Sequence, residues 1–156
     1  MLPFVGDWNC YQQGAPSPTG GSGGGGGSGV GANLTYTIRI TKENVTLDSN
    51  QPSPLLTAHS VITYDADKEI FNYTYNDSGG NSGPGTSVGW DNGHFKFITW
   101  PLTNPGRPGV QAQTMDDFLR PTQSDQFTDM FYASQDGGET WLPAGQLDCT
   151  RASSDH

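Results

Sequence analysis

Between residues 33 and 41 the chain alternates with a period of two. Leu34, Tyr36, Ile38 and Ile40 are apolar, and Thr35, Thr37, Arg39 and Thr41 are polar. Successive side chains of a β-strand point to opposite faces, so this pattern predicts a strand with one buried and one wetted face. Similar short runs predict further strands at Val45–Asp48, Thr57–Tyr64, Ile70–Asn76, Gly85–Trp90, His94–Thr99, Val110–Phe118, Gln126–Ser134 and Thr140–Thr150. Phe4–Gln13 adds one at the front. Turn-forming residues separate them at Tyr64–Lys68, Asn76–Pro84, Asp91–Gly93 and Gln135–Gly138, with Asp91-Asn92-Gly93 the sharpest hairpin signal. No stretch sustains a 3.6-residue period. The chain is therefore expected to be all-β, as a sandwich or a closed barrel, and alternation alone does not choose between them.

The two cysteines weigh toward the barrel. Cys10 lies in the first predicted strand and Cys149 in the last, so only one intrachain pairing is possible. In an up-and-down barrel those two strands are neighbours, within the ~4.4–6.8 Å Cα separation that a disulfide requires. The expected fold is a single antiparallel up-and-down barrel of about ten strands over residues 1–156. A bridge implies an oxidising compartment, periplasmic or extracellular; two unrelated buried thiols are the alternative.

Composition changes this picture in three places. Leu, Ile, Val and Phe make up only 27 of 156 residues, but four Trp, six Tyr and seven Phe supply an aromatic core. Residues 14–32 are nearly all Gly, Ser, Pro and Thr, which predicts a flexible loop between the first strand and the rest. The net charge of −9, from 7 basic and 16 acidic residues, argues against nucleic acid and against an anionic membrane surface. No apolar run approaches the ~20 residues of a spanning helix, so membrane insertion is not expected. Met1-Leu2-Pro3 stands directly before the first strand, the form expected of a mature domain without a signal peptide.

Particular motifs resemble a known group. Phe4-Val5-Gly6-Asp7-Trp8 contains the Gly-x-Trp that opens the first strand of lipocalins and other calycins, and Cys149-Thr150-Arg151 places an arginine where such barrels lay one across that tryptophan. The ordered set Phe4–Cys10, Gly89-Trp90, Asp136–Trp141 and Cys149–Arg151 resembles an uncharacterised, mostly bacterial family of lipocalin-like barrels. The resemblance implies that Trp8 plugs the barrel floor and that Arg151 stacks on its face. Ser134–Trp141 also resembles the Asp-box of sialidase-type propellers. That motif occurs once here and without any repeat, so Asp136 and Trp141 are read as the parts of a structural hairpin.

Candidate chemistry is sparse. His59, His94 and His156 show no zinc-site spacing with the cysteines, and no metal site is expected. Asp65-Ala66-Asp67 and Asp116-Asp117 lack the spaced oxygens of a calcium loop and are read as surface charge. Neither a nucleophile elbow nor a phosphate-cradling loop is present. Asn33, Asn44, Asn72 and Asn76 head glycosylation acceptor triplets. The expected function is a non-catalytic binding module that holds a small apolar molecule among Tyr36, Ile38, Phe71, Tyr73, Phe95, Phe97 and Phe131, with no cofactor. The alternatives are a small enzyme using a buried carboxylate or His59, a nitrobindin-like haem barrel with His59 or His94 as axial ligand, and a packed barrel with no ligand. Oligomeric state is not legible.

Overall fold

The computed structural model describes residues 2–14, 33–42, 44–52, 55–101, 103–106 and 113–152. Most of the Gly-rich segment, the start of the strand expected from Val110, and His156 lie outside them. A 3₁₀ turn at Leu2–Phe4 leads into β1 (Gly6–Gly14), β2 (Asn33–Ile40), β3 (Val45–Pro52), β4 (Leu55–Asp65), β5 (Ile70–Asp77) and β6 (Ser82–Ser87). There follow β7 (Trp90–Asp91), β8 (His94–Thr99), β9 (Gln113–Leu119), β10 (Gln126–Ser134) and β11 (Leu142–Arg151). All join one antiparallel sheet in the order β6-β5-β4-β3-β2-β1-β11-β10-β9-β8-β7, and a β6–β8 pairing closes it. The result is a ten-stranded up-and-down barrel with the two-residue β7 outside the ring. Its closure is compatible with a lipocalin-like barrel.

The expected run Gly85–Trp90 is the main departure. The strand begins earlier and ends at Ser87, whose Oγ accepts the amide of Gly89 at 3.1 Å, and Trp90 starts a separate hairpin with β8. Only two residue pairs hold β6 against β8, Gly85↔Thr99 and Thr86↔Ile98. Gly85 permits this approach, since a Cβ there would stand 2.7 Å from the Ile98 carbonyl. Elsewhere the differences are end shifts, with β3 running on to Pro52 and β11 starting at Leu142 rather than Thr140.

β1 and β11 form the seam where the chain's two ends meet. Their register sets Cys10 opposite Cys149 and Trp8 opposite Arg151. The cysteines are bridged, with Cα atoms 4.0 Å apart, and both face the interior. That bond is compatible with an oxidising environment. Below it, aromatic rings fill one end of the barrel. Phe4 lies 5.3 Å from Phe118 and 5.1 Å from Phe127, and Trp8 meets Phe127 edge-on at 4.7 Å. Edge-on and tilted pairs at these distances suit the ring quadrupoles. Trp8 donates from Nε1 to the Phe4 carbonyl at 2.7 Å, so its polar edge is satisfied inside the core.

Candidate functional site

Arg151 lies on the outside of this floor, its guanidinium carbon 4.2 Å from the centre of the Trp8 ring. It also donates to the Val5 carbonyl at 3.0 Å and the Ser124 carbonyl at 3.0 Å, tying the chain start and the β9–β10 loop to the last strand. Gly6 has a φ of 138°, and any Cβ there would collide with the Arg151 guanidinium. The glycine of Gly-x-Trp thus makes room for the cation over the tryptophan.

Above the floor the barrel encloses a cavity of about 30 Å³. One water needs at least ~10–15 Å³, so this is room for roughly two. Four of the seven residues expected to line the interior do so: Tyr36, Tyr73, Phe97 and Phe131. Ile38 and Phe95 are buried in the floor packing instead. Phe71 is half-buried, its ring 4.8 Å from Tyr64 and 5.1 Å from Phe95. Leu34, Leu47, Leu56 and Leu147 extend the apolar wall, while Ser49, Ser60, Tyr75 and Asp116 interrupt it.

The polar part of the wall was not expected. Strand β9 turns Phe118 inward, and Asp116, two residues before it, points the same way; Asp117 points out. On β10, Phe127 and Phe131 face in, and Asp129 between them is fully buried. Register pairs Asp116 with Phe131 and Asp129 with Phe118, which places the two carboxyls diagonally on adjacent strands. The reading of Asp116-Asp117 as surface charge is therefore corrected: Asp116 lines the cavity and Asp117 is buried. The signal was present in the two-residue period, since Asp116 stands two residues from inward Phe118 and Asp129 two residues from Phe127 and Phe131, so each shares their face.

Electrostatics follow from this placement. Burial pushes the Asp116 carboxyl up to about 7. Asp129 is also raised, by burial first and then by the charge of Asp116, against a lowering hydrogen bond from Tyr36. The Tyr36 hydroxyl donates to Asp129 Oδ2 at 3.3 Å, and Ser60 donates to the Tyr73 hydroxyl at 3.1 Å. Burial keeps Tyr36 and Tyr73 protonated well beyond the usual phenol range. Asp129 Oδ1 and Gln12 Oε1 are buried with no hydrogen-bond partner among the described residues. An unmet buried acceptor costs ~1–3 kcal/mol, more when charged.

His59 and His94 stand on the outer surface. His59 Nδ1 is 2.5 Å from Asp48 Oδ1, and His94 Nδ1 is 2.8 Å from Asp117 Oδ2. Neither can reach a group inside the barrel, so the haem expectation loses both proposed axial ligands and the enzyme expectation loses His59 beside a cavity carboxylate. Asp65 Oδ1 accepts the amides of Asp67 and Lys68 at 3.0 and 3.2 Å, which is turn chemistry. In the Asp-box hairpin, Asp136 Oδ1 accepts Ser134 Oγ at 2.7 Å and the Thr140 amide at 2.8 Å, while Ser134 Oγ accepts the Gly138 amide at 2.8 Å. These bonds hold the Asp136 carboxyl below its usual range. The Trp141 ring lies beside Gly138. Comparison with protein-family models and with curated proteins finds no match to the chain.

Proposed function

We propose that the protein is a lipocalin-like binding module of the periplasmic or extracellular space, holding one small, mostly apolar molecule inside the barrel. The observation that carries this reading is the cavity itself: a mostly apolar lining that Asp116, Tyr36 and Tyr73 share. A barrel that only packs has no use for a desolvated carboxyl there, since hydrophobic side chains of similar volume serve stability as well or better. The arginine-capped Trp8 floor supports the lipocalin-like likeness, and the buried bridge supports export.

The cavity of about 30 Å³ limits the guest to a few heavy atoms, far below the ~300–1,000 Å³ of sites for drug-sized ligands. That same small volume favours a second reading, a packed structural barrel. Protein-observed NMR with methanol and formamide separates them. The binding reading expects saturable shifts confined to inward residues of β2, β5 and β9. No saturable shift with these solutes or with charged ones of similar size would leave the structural barrel.

A further inference from the structure

The two inward carboxyls lack a cation. Among the described residues every Lys and Arg is exposed, and Arg151 caps the floor from outside. Two carboxylates close together in a desolvated space cannot both ionise without a compensating positive charge. A proton meets that need in acid; near neutrality it must come from elsewhere.

The cavity has the chemistry to receive it. Asp116 faces it directly, and Asp129 stands behind the Tyr36 hydroxyl with its Oδ1 unpartnered and fully buried. Ionised carboxylates only accept hydrogen bonds, and an ammonium only donates, with three N–H groups. The rings of Tyr73, Phe97 and Phe131 complete the wall, and aromatic faces attract cations more strongly when water is excluded. A volume of about 30 Å³ admits an ammonium with a short carbon stem.

We propose that this cavity binds a small primary alkylammonium ion, with Asp116 as its carboxylate partner and Asp129 as the second acceptor behind it. The inference rests on the binding-module reading and names its ligand class. Binding releases a proton from the carboxyl pair to solvent, so affinity rises with pH up to and through the titration of Asp116, near 7. The titratable groups that face the pair are Tyr36 from β2, Tyr73 and Tyr75 from β5, and each other from β9 and β10. The tyrosines stay neutral throughout that range. Asp117 adds a further negative charge from the outer side of β9.

The test titrates the oxidised full chain with methylammonium chloride and with methanol at pH 8 and pH 5, by calorimetry and NMR. The expected result is saturable ammonium binding at pH 8, at least tenfold tighter than methanol and at least tenfold weaker at pH 5. Asp116→Asn should abolish both the preference and the pH dependence. Equal affinity for the two solutes at pH 8 would overturn the cation assignment and leave the binding module standing. Binding of neither would remove the binding module itself. Ammonium binding that survives in a folded Asp116→Asn variant would place the site elsewhere and refute the proposal. The pH and methanol comparisons use the unaltered protein, so they decide the matter even where the variant does not fold.

Discussion

Reducing the Cys10–Cys149 bond should cost this barrel a large share of its stability. The two residues are 139 positions apart, so the bridge closes a loop of nearly the whole chain. The chain-entropy model then gives about 5 kcal/mol, an upper figure because residual structure in the unfolded state reduces it. Domains of this size are stable by ~5–15 kcal/mol in all. The bond also spans the seam on which closure depends, as β1 and β11 share seven register pairs from Trp8↔Arg151 to Gly14↔Gly145. Urea unfolding of oxidised and reduced protein, followed by tryptophan fluorescence, should show a loss of roughly 3–5 kcal/mol. Both cysteines are buried, at 3 and 2 % exposure, so a thiol reagent reaches them only when the seam opens. At high dithiothreitol the native reduction rate should therefore stop rising with reagent concentration. A reduced protein within about 1 kcal/mol of the oxidised one would refute the loop-entropy account. A rate that keeps rising linearly would refute the gated seam.

Other outcomes follow from the interior and the two ends. Asp116 is raised to about 7, so the native state holds a proton that the unfolded chain has already lost. Its contribution is full below the unfolded carboxyl pKa of ~4 and is lost as pH rises through 7, at up to ~1.4 kcal/mol per unit. Melting temperatures from pH 4 to 8 should fall more steeply for the unaltered protein than for Asp116→Asn, and parallel curves would exclude this assignment. Trp8→Ala should cost ~3–5 kcal/mol and Arg151→Ala less, with the double variant losing less than the sum. Strict additivity would mean that the 4.2 Å stack contributes nothing. Ser134→Ala removes the oxygen that accepts the Gly138 amide and should lower stability by ~0.5–1.5 kcal/mol, while leaving any binding inside the barrel unchanged.

The legible parts of this protein are those that depend on period alone. Alternation from Leu34 to Ile40 marked β2, and the burial pattern follows it, with Leu34, Tyr36 and Ile38 inside. Pairing of the first strand with the last placed the cysteines, because an up-and-down order makes those two strands neighbours. Where a backbone feature interrupts the period, legibility fails. The turn at Val88-Gly89 ended a strand that composition alone carried on to Trp90. Between Phe131 and Tyr132 the register of β10 against β11 shifts by one, from Gly145 to Pro143, passing over Ala144 of β11, while β10 stays regular against β9. Ser134 is instead buried by the hairpin's own hydrogen bonds to Asp136 and Gly138, which no alternation shows.

The inward aspartates were missed for a different reason. Reading charge as exposed is sound on average, because an unpaired carboxylate rarely repays its desolvation. At Asp116 and Asp129 the average conflicts with local geometry, and geometry prevails: Phe118 two residues after Asp116, and Phe127 and Phe131 on either side of Asp129, are committed to the core, and a strand cannot turn one residue out without breaking its ladder. Burying Phe118, Phe127 and Phe131 therefore drags two carboxyls inside with them. Replacing either by a leucine would relieve that cost without disturbing the fold's pattern. Asp116 in the cavity wall and Asp129 beside the Tyr36 hydroxyl are thus departures from what stability requires, and such departures concentrate where a protein binds or reacts.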